Sequence, residues 1–127
     1  MPHKSRLGAM VIDCRCDDLG DHVRFWSGAL GLEPVYFEDD PDYVGLRVSG
    51  DELSIILQRV DHDSRVHLDI ETDNQAAEVA RLEKLGAKQV AAIKRWIVME
   101  APSGHRFCVV NPQRRAFAGN ANQWNDQ

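Results

Sequence analysis

Hydrophobic and polar positions alternate over residues 9–16, with Met10, Ile12, Cys14 and Cys16 set against Val11, Asp13 and Arg15. This period of two predicts a strand with one apolar face. The period then lengthens: Leu19, Val23, Trp26 and Leu30 fall on one stripe, which predicts a helix over about 18–30. Asp17 or Asp18 is its expected N-cap, because a short carboxylate accepts from the orphan amides of the first turn, and Gly31 supplies a left-handed stop. Strand-like runs follow at 33–37, 43–48 and 53–60, separated by Asp39-Asp40-Pro41-Asp42 and Ser49-Gly50-Asp51, both turn compositions.

The same order then returns. Val66, Leu68, Ile70 and Thr72 alternate with His67, Asp69 and Glu71. Asp73 or Asn74 caps a helix over about 74–85 with Val79, Leu82 and Leu85 on one face, and Gly86 ends it. Strands are expected at 88–93, 95–99 and 106–110, with Pro102-Ser103-Gly104 as the last turn. The caps Asp17 and Asp73 lie 73 − 17 = 56 apart and the stops Gly31 and Gly86 lie 86 − 31 = 55 apart, so the chain is an internal βαβββ repeat of about 55 residues. Neither four-stranded unit can cover both faces of its own sheet, so the two must pack or pair. The tail from Pro112, with Arg114-Arg115 and a polar end, is expected either to dock by Phe117 and Trp124 or to fray.

The length of 127 residues suits a single domain, residues 1–127, with module one at about 8–60, module two at about 65–111 and a tail over 112–127. A net charge of −5 gives no attraction for phosphate backbones or anionic lipids, so nucleic acid and membrane are not expected partners. Cys14, Cys16 and Cys108 form an odd count without metal spacing and read as reduced thiols of a cytoplasmic protein. No apolar run suits a signal peptide or a spanning helix.

The doubled βαβββ plan, "VRFWSGALGL" at 23–32, "RVHLDIETDN" at 65–74 and "WIVMEAPSGHRFCVV" at 96–110 resemble the vicinal oxygen chelate superfamily, and within it the glyoxalase-like domains of the glyoxalase, bleomycin-resistance and extradiol dioxygenase group. The resemblance covers roughly residues 8–111. It implies an α+β fold of two βαβββ modules forming a cup-like incomplete barrel around a small molecule, and a homodimer, since each open sheet leaves an edge to cover. It also implies four metal-ligand positions, which fall here on Val11, Gln58, His67 and Cys108: an aliphatic, a neutral amide, an imidazole and a thiol. A hard divalent ion prefers carboxylates and imidazoles, so these positions read as vestigial, with no metal and no other cofactor expected. The alternative is a soft-metal set of Cys108, His67 and a carboxylate such as Asp13.

Strand parity, independently of the resemblance, places Asp13, Arg15, His67, Asp69 and Glu71 on the non-core face of two equivalent strands. Two accounts stand. On an open sheet this is an ordinary charged outer face; on a curled one it lines a cavity, where charges must pair, for instance Arg15 with Glu71 or Asp13, or meet a ligand. His67 and Asp13 are the candidate catalytic pair, because an imidazole titrating near neutral pH donates, accepts or shuttles a proton; a structural His67 bonded to Asp69 or a backbone carbonyl is the competing account. Arg15, Gln58, Asp69, Glu71, Trp96, Tyr43 and Cys108 are candidate ligand contacts, with Trp96 and Tyr43 as aromatic walls or else core, and Cys108 as a buried inert thiol otherwise. The expected functions are a glyoxalase-like isomerase or lyase working through His67 without metal, a bleomycin-resistance-like protein that sequesters a drug or metabolite, or a structural module with a filled cup.

Overall fold

In the computed structural model, which describes residues 2–125, the chain runs β1(His3–Arg15), α1(Gly20–Leu30), β2(Pro34–Tyr36), β3(Tyr43–Leu46), β4(Ser54–Val60), β5(Arg65–Thr72), α2(Gln75–Lys84), β6(Lys88–Ile93), β7(Trp96–Glu100), β8(Arg106–Val110), α3(Phe117–Asn120) and β9(Asn122–Trp124). The βαβββ order therefore occurs twice, and the architecture is α+β with open mixed sheets. Two compact units divide the chain: unit one is Ala9–His67, and unit two holds the described residues of Met1–Gly8 and Leu68–Gln127.

In unit one the strands follow the order β2-β3-β4-β1. β4 runs parallel to β1, with Asp13 opposite Gln58, and antiparallel to β3, with Tyr43 opposite Gln58. Ile12, Cys14, Leu19, Val23, Val44, Leu46 and Leu57 form its core, and Trp26 packs against them from α1. Leu30 departs from the predicted stripe: it is the last residue of α1 and is exposed. The cap of α1 also differs. Leu19 occupies the N-cap position with helical backbone angles and no side-chain bond, while Asp18 Oδ1 accepts from Gly20 N at 2.6 Å. Gly31 takes φ of +68°, as the expected helix stop requires, and its amide donates to Ser27 O.

In unit two the order is β5-β8-β7-β6, with α2 packing Val79 and Leu82 against Met99 and Val109. Asn74, not Asp73, caps α2, accepting from Ala77 N at 3.0 Å; Asp73 instead accepts from Lys4 N. Leu85, expected on the buried face, follows the last helical residue and is 66% exposed. β1 begins at His3, six residues before the predicted start, because the polar residues His3, Ser5 and Arg6 are buried by polar partners within the unit and not by apolar alternation.

The tail docks. β9 pairs antiparallel with β1, Trp124 Nε1 donates to Ser5 Oγ at 2.7 Å and its ring lies 4.0 Å from the Arg81 guanidinium, while Arg6 sits over Phe117. Positions 126 and 127 of the predicted tail lie outside the described residues.

Candidate functional site

In unit one the register of β3, β4 and β1 sets Tyr43, Gln58 and Asp13 on one rung of the ladder, so their side chains leave the same face. Gln58 Nε2 donates to Tyr43 Oη at 2.9 Å. His67, at the end of the unit in β5, brings Nδ1 to 2.8 Å from Asp13 Oδ2. Asp13 is 3% exposed and His67 has 12% of its side chain exposed. An ionised carboxylate only accepts, so His67 carries its proton on Nδ1 in the neutral ring and Nε2 becomes the basic nitrogen. Arg65 Nε lies 3.9 Å from Asp13 Oδ2, and Asp13 Oδ1 has no hydrogen-bond partner among the described residues. This is an imidazole held in one tautomer by a desolvated carboxylate, an arrangement suited to taking and returning a proton.

Nδ1 of His67 thus meets Asp13, the partner that strand parity offered for a candidate pair. Arg15 pairs with neither Glu71 nor Asp13: its side chain is 62% exposed and NH1 reaches Asp63 Oδ1 at 2.9 Å, because β1 ends there and the guanidinium turns to water. Arg65, which sequence reasoning passed over, shares the phase of His67, and that parity is the signal that could have found it.

In unit two, Glu71 is fully buried, and its partners come from its own unit. Oε1 accepts from the amides of Gln113 and Arg114, and Oε2 from Arg6 Nε and Arg114 Nε. The open-face account fails for Asp13 and Glu71, which are both buried; on the predicted apolar face of β5 it is Val66 and Leu68 that are exposed. Asp69 stands opposite Cys108 in the β5–β8 register, and Cys108 opposite Val98 of β7, which sets Asp69, Cys108 and Trp96 on one sheet face, all half-buried.

The metal-ligand positions that the resemblance implies carry few donors for a hard ion. Val11 is an aliphatic 3% exposed, Gln58 spends its amide nitrogen on Tyr43 and leaves a neutral oxygen, Cys108 offers a thiol, and His67 alone offers an imidazole.

The family model described as a glyoxalase-like domain matches residues 9–110. No curated protein matches the sequence. Among solved structures the chain is similar to a methylmalonyl-CoA epimerase from Mycobacterium tuberculosis, at 18% identity and TM-score 0.60 over 84% of this chain and 87% of that one. It is similar to a hypothetical protein from Bacillus halodurans C-125 at 14% identity and TM-score 0.63, over 88% and 97%. The Mn(II)-bound glyoxalase from Novosphingobium aromaticivorans is similar at 19% identity and TM-score 0.60, over 89% of this chain and 42% of that chain. With the twice-occurring βαβββ order and the open mixed sheets, the chain belongs to the glyoxalase-like domain family and has the fold of the vicinal oxygen chelate superfamily.

Proposed function

We propose that the protein is a small-molecule enzyme of isomerase or lyase type, in which His67 Nε2 takes a proton from the bound molecule and returns it, with no metal taking part. The 2.8 Å bond from His67 Nδ1 to the buried carboxylate of Asp13 carries this reading. Asp13 orients the ring and offsets the positive charge that forms on it. Gln58 and Tyr43 supply neutral polar groups for recognition beside the pair. Arg15 and Glu71, engaged with Asp63 and with the tail, are left out of the site.

A second reading, sequestration of a drug or metabolite without catalysis, is favoured by one observation: the Gln58–Tyr43 pair offers recognition with no charge to drive chemistry. Native mass spectrometry of protein taken from its own host, followed by incubation of the bound molecule in D2O, separates the two. Deuterium entering the molecule with the wild type and not with His67→Ala supports the enzyme. Binding without exchange supports sequestration, and a protein that never carries a small molecule overturns both.

We further infer a single-domain homodimer of the cytoplasm. The strand edges at β2 and β6 and the three free cysteines support this; among the described residues no helix is long and apolar enough to cross a membrane. Sedimentation equilibrium at twice 14.3 kDa is the expected result, and a mass of 14.3 kDa at micromolar concentration overturns the dimer.

A further inference from the structure

Only one oxygen of the Asp13 carboxylate is engaged. Oδ2 meets His67 Nδ1 at 2.8 Å, while Oδ1 is buried and accepts no hydrogen bond among the described residues, in a residue that is 3% exposed. Leaving a buried charged acceptor unmet costs more than leaving a neutral one, so such an oxygen calls for a donor from outside the chain. The ladder sets the direction of the side chain: Asp13, Gln58 and Tyr43 share a rung and leave the sheet on one face. Gln58 Nε2 donates to Tyr43 Oη, and Oδ1 gains no bond from it.

Charge narrows the type of donor. Unit one holds 13 acidic and 5 basic side chains, a net 5 − 13 = −8 with histidine neutral, against −5 for the whole chain. Charge of one sign around a low-dielectric site raises the local concentration of molecules of the other sign and disfavours its own. The chain already brings one cation towards this carboxylate: Arg65 Nε lies 3.9 Å from Asp13 Oδ2, beyond hydrogen-bond reach, on a side chain that is 48% exposed. An exposed guanidinium at that distance is held weakly and yields to a better-placed cation.

We propose that the molecule bound at the Asp13–His67 site carries a protonated amine, whose N–H donates to Asp13 Oδ1 and takes the place of Arg65. This rests on the site proposed above and adds the class of its ligand, a cationic small molecule and not a carboxylate or a phosphate ester. Asp13 then serves two partners at once, His67 through Oδ2 and the ammonium through Oδ1, which holds the ligand beside the ring. A charge-assisted bond of this kind is roughly twice as strong as a neutral one, so it separates an amine from an alcohol of the same shape.

Three probes of one shape test this: n-butylammonium, n-butanol and butyrate, each titrated at neutral pH and fixed ionic strength into the isotope-labelled intact protein and read from the amide shifts of Asp13, Gln58 and His67. The expected result is saturable binding of butylammonium, binding of butanol about tenfold weaker, and none of butyrate. Arg65→Ala is expected to tighten butylammonium binding, because the chain's own cation no longer competes; an arginine that only supports the structure would not do so. Asp13→Asn, checked for folding by circular dichroism, is expected to weaken it about tenfold or more. Butyrate or butanol binding as tightly as butylammonium, no saturable butylammonium shift in wild type, binding that is unchanged or weaker in Arg65→Ala, or unchanged in a folded Asp13→Asn, overturns the proposal. The wild type and the Arg65 variant decide this even if Asp13→Asn fails to fold. Amine binding that persists in His67→Ala, with no deuterium exchange in wild type, leaves amine recognition standing and the enzyme reading lost; exchange on a bound molecule that has no amine does the reverse.

Discussion

Replacing Glu71 by Ala removes a carboxylate that is fully buried in unit two and that four donors share: the amides of Gln113 and Arg114, and the Nε groups of Arg6 and Arg114. Arg6 is 7% and Arg114 13% exposed at the side chain, so the variant leaves two nearly buried guanidinium groups without their anion. Breaking a buried ion pair by deleting one partner costs about 3–5 kcal/mol, because the remaining charge is desolvated and uncompensated. Of a total stability of about 5–15 kcal/mol this is a large share, and it corresponds to a fall in Tm of roughly 10–20 °C for a chain of this size. Chemical denaturation gives the free energy, and hydrogen exchange at the Gln113 and Arg114 amides gives the location, since the tail residues lose their acceptor. Arg15→Ala serves as the control: its partner Asp63 is 97% exposed, so the change is expected to stay under about 1 kcal/mol. A Glu71→Ala loss no larger than that of the control, or unchanged protection of both amides, would falsify the reasoning.

Glu78 is expected to give an acid-dependent stability. Burial raises its pKa, but hydrogen bonds from Arg81, His3 and Ser5 and the Arg81 charge outweigh this, so the net shift is downward from 4.5. The stability it contributes is therefore complete above about pH 4.5 and is lost as pH falls through the lower folded value; the slope below pH 4.5 should shrink in Glu78→Gln, and an unchanged slope counts against it. Asn74→Ala should cost about 1 kcal/mol by removing the cap on Ala77 N, read from urea midpoints, and a neutral result would show that the cap adds nothing there. The wild-type Tm should not move with Mn2+, Ni2+ or Zn2+; one ion bound per chain, lost in His67→Ala, would sink the metal-free reading.

Periodicity by itself determined α1, α2, the glycine stops and the doubled βαβββ order, because amphipathic stripes and left-handed stops are local physics: Val23 and Leu82 are buried where their stripes place them, and Gly31 takes the positive φ its position demands. Parity likewise set Asp13 and His67 on one kind of strand face, and the structure makes them partners at 2.8 Å. Tertiary structure decided everything that depends on which distant residue meets a charge. Glu71 reads in sequence like a ligand contact, and only the folded tail, more than forty residues on, converts it into a buried anchor. The polar start of β1 carries no strand signal, since His3 and Arg6 are buried through Glu78 and Glu71, and burial by a distant ion pair leaves no period in the chain.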